Sequence, residues 1–125
     1  MAGKVLLVED EPNIAEAIRF LLLRDGWEVE LLSDGALALA EVRAMRPDLV
    51  ILDLMLPGSS GIEILTALRA DAATVALPVM MLTAKGQGRD REAAERAGVS
   101  RFMTKPFSNA EMREAVRELA GGAAA

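Results

Sequence analysis

Short apolar runs alternate with longer amphipathic stretches along the whole chain, five times in the same order. Runs that are apolar at every position are typical of parallel strands covered by helices on both faces. Three runs have this pattern and predict central strands: residues 5–8, 49–52 and 79–82. The run 27–32 instead alternates glutamate with apolar residues, which predicts an edge strand with one wetter face. A fifth short run, 101–104, predicts the last strand.

Helical spacing and terminal signals define the stretches between these strands. The first helix is predicted to begin at Pro12, a favoured first-turn residue, and to end at Gly26. The last helix begins at Ser108, which with Glu111 has the spacing of a capping box. Three further helices are predicted over residues 34–45, 61–70 and 89–97. Alanine supplies every apolar residue of the third of these, so that helix buries little area and is expected to be weakly held.

Five alternations of strand and helix predict a doubly wound α/β fold with right-handed crossovers and helices on both faces. We expect one five-stranded parallel sheet in the flavodoxin-like order 2-1-3-4-5, with the functional crevice at the carboxyl ends of strands 1 and 3. The length of 125 residues fits one domain. We assign that domain to residues 1–120 and interpret residues 121–125, which lack apolar periodicity, as a flexible tail or linker stub.

The composition narrows the chemistry that this crevice can perform. The chain has no cysteine and no histidine, which excludes disulfides, thiolate zinc sites, a histidine base and a phosphohistidine of its own. The net charge of −5 argues against direct binding of nucleic acid, which needs a basic face. The apolar run 5–8 is too short for a signal peptide or a membrane helix, so we expect a cytoplasmic protein.

Charged and polar residues follow four of the five predicted strands. Glu9 and Asp10 follow strand 1, Asp53 follows strand 3, and strands 4 and 5 lead to Thr83 and Lys105. Carboxylates that meet at one edge of a sheet repel by about 4 kcal/mol per pair at 4 Å and an effective dielectric near 20. A hard divalent cation relieves this repulsion, and Mg²⁺ commonly uses one or two carboxylates together with phosphate oxygens. The sequence therefore predicts a magnesium site at this edge.

The same strand ends carry four longer motifs: Val-Glu-Asp-Glu at 8–11, Leu-Asp-Leu-Met-Leu-Pro-Gly at 52–58, Leu-Thr-Ala-Lys at 82–85 and Phe-Met-Thr-Lys-Pro-Phe at 102–107. Each motif alone is weak, but all four in this order at separate strand ends are highly specific. Together they resemble the receiver domain of bacterial two-component response regulators. The resemblance runs over residues 4–119, which is nearly the whole chain.

The resemblance implies a phosphoacceptor and a metal site. Asp53 looks like the aspartate that takes a phosphoryl group from a phosphohistidine of a sensor histidine kinase or phosphotransfer protein. Asp10 looks like the direct Mg²⁺ ligand, and Glu9 acts mostly through water. Asp53 and the Met55 carbonyl complete the protein's share of the ligands.

The remaining motif residues resemble the family's phosphate-binding and switch residues. Lys105 matches the lysine that pairs with the phosphoacceptor and then with the phosphoryl oxygens, and Thr83 and Ala84 match the other phosphate-binding positions. The Thr83 hydroxyl would move to the phosphoryl group, and Phe102 matches the aromatic residue that swings inward behind it. The peptide between Lys105 and Pro106 is usually cis in this family.

These roles imply a phosphorylation-activated switch that is not an enzyme on separate substrates. It would change the face formed by helix 4, strand 5 and helix 5, and so signal to a downstream effector or a fused output domain. Two alternatives stay open. One is a receiver-like protein-binding module that is never phosphorylated. The other is an aspartyl-phosphate hydrolase of the haloacid dehalogenase type, whose motif needs a second acid where this chain has Met55.

The same face bears on the oligomeric state. In the DNA-binding branch of the family, acids over the stretch matching residues 98–101 pair with arginines of a second subunit. Here Arg101 reverses that charge, and Ala115 replaces one expected arginine, although Arg91 and Glu111 retain a possible pair. We therefore expect a monomer or a weak dimer.

Overall fold

Five parallel strands form the centre of the structure, a computed structural model that describes residues 3–84 and 88–121. In chain order the strands are β1 Lys4–Val8, β2 Glu28–Leu32, β3 Leu49–Asp53, β4 Val79–Ala84 and β5 Arg101–Lys105. Their order in the sheet is β2-β1-β3-β4-β5. The predicted fold class and strand order are confirmed, and β2 lies at an edge as its alternating pattern predicted.

Helices connect the strands: α1 Pro12–Arg24, α2 Ala38–Met45, α3 Gly61–Ala70, α4 Gly88–Ala97 and α5 Asn109–Val116. The predicted capping box of α5 is present, since Ser108 and Glu111 each accept the other's backbone N–H with a side-chain oxygen. The second predicted helix is divided, because a 3₁₀ turn over Gly35–Leu37 precedes α2. The Asp34 carboxylate caps that turn by accepting the Ala36 N–H at 2.9 Å.

Both faces of the sheet are covered, because successive side chains of a strand point to opposite sides. Helices α1 and α5 pack on one face, in a cluster that includes Val5, Leu7, Ile18, Leu22, Met112 and Val116. Helices α2, α3 and α4 pack on the other, in a cluster that includes Leu6, Val8, Val42, Leu65, Leu68 and Ala94. The strands are thus fixed from both sides, and their carboxyl ends form a rigid platform.

Helix α4 is attached by small side chains and by polar contacts. Ala94 is fully buried, whereas the other two alanines of the helix are half-buried. Arg69 of α3 holds the carboxyl end of α4, since its guanidinium donates to the Gly98 carbonyl at 2.9 Å and to the Leu77 carbonyl at 2.8 Å. Polar contacts from α3 therefore contribute much of the attachment at that end.

A π-helical turn over Arg117–Gly121 follows α5. Gly121 was predicted to belong to the tail but ends this turn, and residues 122–125 lie outside the described residues. Lys85 of the third motif also lies outside them. Within the described part of the chain, the structure contains no helix that is both long enough and apolar enough to cross a membrane.

Candidate functional site

The carboxyl ends of β1, β3, β4 and β5 bring the predicted site residues to one edge of the sheet. Asp53 is the last residue of β3, and Lys105 is the last residue of β5. Thr83 lies in β4 between them, paired in register with Thr104 of β5. Glu9 directly follows β1, and its N–H donates to the Leu32 carbonyl of the edge strand at 2.9 Å. The backbones of these polar residues therefore take part in the hydrogen bonding of the sheet, which fixes their positions.

Lys105 is the cation at the centre of this edge. Its Nζ lies 2.9 Å from Oδ2 of Asp53 and 3.0 Å from Oε1 of Glu9. Both carboxylate residues are buried, with relative exposures of 7% for Asp53 and 1% for Glu9. One ammonium group thus offsets two buried acids, which leaves the cluster with an excess of negative charge.

The Glu9 carboxylate is incompletely satisfied. Its Oε2 accepts the Glu11 N–H at 3.2 Å. Its Oε1 is buried and accepts no hydrogen bond of acceptable geometry from the described residues, although the Lys105 ammonium is close enough for an ion pair. Burial, assisted by the neighbouring Asp53 carboxylate, raises the pKa of Glu9 to about 7. An unsatisfied buried oxygen of this kind is costly unless a further cation or water contacts it.

The neighbouring carboxylates also shift the pKa of Lys105. Burial alone would lower the pKa of Lys105, but its hydrogen bond to Asp53 and its ion pair with Glu9 outweigh burial and raise that pKa above the usual value. Lys105 therefore stays protonated, and its ammonium group is available to bind further oxygens at this edge.

A metal ion is compatible with the same group of acids. Glu9, Asp10 and Asp53 each offer a carboxylate oxygen, and these oxygens lie within 4.8 Å of one another. Asp10 is exposed, so the cluster opens to solvent on one side. Oxygen ligands and access for water are the conditions that a hard divalent cation requires. The residues present thus fit a cation site.

The loop after β3 returns its backbone to the Asp53 carboxylate. The Met55 N–H donates to Oδ1 of Asp53 at 3.2 Å, while Met55 as a whole residue is 75% exposed. The backbone of Met55 therefore lies beside the acidic cluster. Its carbonyl as a metal ligand stays a prediction.

Thr83, Ala84 and Phe102 occupy the predicted positions on β4 and β5. Thr83 is buried, and its hydroxyl donates to the Ala84 carbonyl over a long 3.4 Å. Ala84 is exposed. Phe102 is half-buried, and the Arg91 guanidinium carbon lies 5.4 Å from the centroid of its ring. The Thr83 hydroxyl thus makes only a weak contact. The peptide between Lys105 and Pro106 is cis, as the family resemblance implied.

Sequence reasoning missed two glycines that shape the loop after β3. A Cβ on Gly61 would lie 2.5 Å from the Asp53 carbonyl oxygen, so only glycine allows α3 to begin this close to the end of β3. Gly35 meets the same loop from the turn before α2. A glycine directly after the N-cap Ser60 was the available sequence signal, because glycine weakens a helix that it begins without such a reason.

Comparisons with known proteins agree with this geometry. A family model described as the response regulator receiver domain matches residues 5–117. The chain is 40% identical to the DNA-binding response regulator MtrA of Mycolicibacterium smegmatis over 117 residues, which are 94% of this chain and 50% of that protein. The chain thus spans about half the length of the curated relatives it matches.

Solved structures give the same answer. A putative response regulator from Chloroflexus aurantiacus superposes with a TM-score of 0.92 at 30% identity, covering 97% of this chain and 99% of that one. The receiver domain of sensor histidine kinase PA1611 from Pseudomonas aeruginosa has a magnesium ion coordinated in its active site cleft. It superposes with a TM-score of 0.88 at 30% identity, covering 97% of this chain and 99% of that one. The chain belongs to the response regulator receiver domain family.

Proposed function

We propose that Asp53 accepts a phosphoryl group from a phosphohistidine of a partner sensor kinase or phosphotransfer protein, and that this modification switches the chain between two states. One observation carries the proposal. Asp53 ends a buried strand with Lys105 at 2.9 Å and with Glu9 and Asp10 in the same acidic group. A purely structural acid does not need two further acids and a lysine around it.

The residues suit phosphoryl transfer because that reaction depends on positioning and on cancellation of charge. An Asp53 carboxylate oxygen would attack phosphorus as the bond to the partner's imidazole nitrogen breaks, and the electron pair of that bond returns to the imidazole. The Lys105 ammonium would move from the carboxylate to a phosphoryl oxygen. The Thr83 hydroxyl and the backbone of Ala84 would bind other phosphoryl oxygens.

Mg²⁺ is the cation that we assign to this site. When bound, it would neutralise charge on the phosphoryl oxygens and on the acids. Asp10 and Asp53 would bind it directly, Glu9 mostly through water, and Met55 through its carbonyl. Oxygen donors of this kind and a side open to water match the coordination that Mg²⁺ prefers.

The switch would pass from Thr83 to Phe102 and then to the face formed by α4, β5 and α5. Changing a 1:99 population to 99:1 requires about 5.5 kcal/mol of differential stabilisation, which two or three charge-assisted contacts can supply. Helix α4 is suited to move because Ala94 is its one fully buried side chain among the described residues. The recipient of the signal would be a downstream effector or a fused output domain.

We infer that any contact with DNA belongs to such an output domain or effector and not to this chain, whose net charge is −5. We also propose that the chain promotes only its own phosphorylation and dephosphorylation. A hydrolase of the haloacid dehalogenase type is disfavoured because Met55 stands where the second acid would be required.

Labelling by acetyl phosphate, followed by intact mass, tests the proposal. We expect one phosphoryl group on the wild type with Mg²⁺ and none with excess chelator. Asp53→Asn should abolish labelling, and the matched control Asp48→Asn, an exposed acid before β3, should keep it. A wild type that takes no label would indicate the silent module. Sustained release of phosphate from a phosphomonoester would indicate the hydrolase.

A further inference from the structure

Two turns from different parts of the chain meet backbone to backbone beside the acidic cluster. One is the loop of residues 54–60 between β3 and α3, and the other is the turn of residues 33–37 before α2. The Gly35 N–H donates to the Pro57 carbonyl at 2.9 Å. A Cβ at Gly35 would overlap the Ser59 carbonyl oxygen, so the turn approaches the loop more closely than any other residue type allows.

The contact has a second point beside the first. Gly58 has φ +84°, a conformation that favours glycine, and a Cβ there would overlap the Asp34 carboxylate. The same carboxylate accepts the Ala36 N–H at 2.9 Å, which fixes the conformation of the turn. The apex of the loop therefore packs against the turn, and the hydrogen bond from Ala36 to Asp34 fixes the conformation of that turn.

The position of Met55 depends on this loop. The residue is 75% exposed, so apolar packing does little to fix it. The loop is closed at its base by the Gly61 N–H, which donates to the Leu54 carbonyl at 3.0 Å. Among the described residues, the bond from Gly35 is the backbone hydrogen bond that ties residues 55–59 to another part of the chain.

We propose that Gly35 is a positioning residue for the cation site, and that the turn of residues 33–37 holds the loop so that the Met55 carbonyl faces the acids. This inference rests on the proposed function, which places Mg²⁺ among Glu9, Asp10, Asp53 and the Met55 carbonyl. Gly35 has no side chain with which to bind the acids or the cation. It acts through the Pro57 and Ser59 backbone, because a carbonyl ligand moves whenever its peptide moves.

Mg²⁺ titration of the whole chain, followed by calorimetry and by the Met55 amide NMR signal, tests the inference. Gly35→Ala should weaken Mg²⁺ binding by about tenfold, the lower end of the loss seen when residues that orient metal ligands are changed. Gly121→Ala is the matched control, because its added methyl group would come no closer than 3.7 Å to Trp27. That variant should bind Mg²⁺ with the wild-type Kd.

Two further variants separate positioning from loss of stability. Ile18→Val shortens a buried side chain on the opposite face of the sheet, so it should lower the unfolding temperature and leave the Kd for Mg²⁺ unchanged. Asp34→Ala removes the cap on Ala36 and adds no overlap, so it should weaken Mg²⁺ binding in the same direction as Gly35→Ala but less. If Gly35→Ala does not fold, Asp34→Ala decides the question.

A folded Gly35→Ala that binds Mg²⁺ as the wild type does would overturn the inference, as would a wild-type Kd for Asp34→Ala. Neither measurement involves phosphorylation. A wild type that binds Mg²⁺ but takes no phosphoryl group would therefore defeat the proposed function and leave the role of Gly35 standing.

Discussion

At the scale of single residues, the ammonium group of Lys105 compensates the charge of two acids. It offsets Asp53 at 2.9 Å and Glu9 at 3.0 Å, and both of these acids are buried. Removing one partner of a buried charge pair costs about 3–5 kcal/mol, because the other charge is left uncompensated. A cation bound by the same acids would take over part of that compensation. The stability contribution of Lys105 should therefore depend on Mg²⁺.

This dependence gives a prediction for Lys105→Met. Without Mg²⁺ the variant should lose about 3 kcal/mol of unfolding free energy, and with saturating Mg²⁺ it should lose clearly less. Urea denaturation in magnesium and in chelator measures both values. Lys4→Met, a change at an exposed lysine, should have the same small effect in both conditions. An equal loss for Lys105→Met with and without the ion would contradict a shared cation site.

The meeting of Asp53, Thr83 and Lys105 at one edge was predictable from the sequence, because each of them lies at the carboxyl end of a strand. Parallel strands place their carboxyl ends at one edge, so Asp53, Thr83 and Lys105 had to be neighbours once the strand order was assigned. The unsatisfied oxygen of Glu9 and the contact made by Gly35 were not predictable. Both depend on the path of the backbone between residues distant in sequence, which local patterns do not encode.

At the scale of elements, hydrophobic patterning identified all five strands but made most of them too short. The structure extends β3 to Asp53, β4 to Ala84 and β5 to Lys105, because backbone hydrogen bonds continue after the apolar side chains end. The predicted helix over 34–45 begins as the 3₁₀ turn that Asp34 caps, and its α-helical part starts only at Ala38. Apolar periodicity reports which side chains are buried, and it does not report where a hydrogen-bonded ladder or turn stops.

Arg69 is the element-scale contact that we expect to stabilise α4. Arg69→Met leaves the Leu77 and Gly98 carbonyls without this donor and should cost about 1–3 kcal/mol. Hydrogen exchange should show lost protection mainly in α4 and β5. Arg43→Met, on α2 with a side chain that is 67% exposed, is the matched control and should leave that protection intact. Loss of protection spread evenly over all strands would mean that Arg69 supports the whole fold.

The coupling of β4 to β5 gives a second prediction at this scale. Thr83→Ala should still accept a phosphoryl group, because Asp53 and Lys105 are unchanged. It should not transmit the change to Phe102, since the buried hydroxyl that would bind the phosphoryl group is gone. NMR shifts on adding a phosphoryl analogue with Mg²⁺ compare the two proteins, and Thr66→Ala, an exposed threonine of α3, serves as the control. Identical shifts in wild type and Thr83→Ala would make the hydroxyl merely structural.

At the scale of the whole molecule, several charged side chains of β5 and α5 are engaged within one chain. Arg101 pairs with Glu118 at 3.1 Å, and Arg113 pairs with Asp25 of the α1 turn at 2.8 Å. The Glu111 carboxylate accepts the N–H at the start of α5, and Ala115 is buried in the core. These contacts leave fewer charges of β5 and α5 for a second copy of the chain, and the monomer or weak dimer expected from Arg101 stays a prediction.

A symmetric dimer on this face would have to exchange internal contacts for contacts between subunits, because a twofold interface brings the same surface together from both copies. Exposed ion pairs contribute about 0–1 kcal/mol each, so such an exchange yields little net free energy. We predict a monomer or a weak dimer at micromolar concentration, with or without a phosphoryl analogue and Mg²⁺. Light scattering coupled to size exclusion measures this directly. The prediction would be contradicted by a stable dimer that forms on activation and is lost in Arg91→Ala or Glu111→Gln. The control Arg43→Ala on α2 should keep such a dimer. That result would show that contacts between subunits replace the internal contacts.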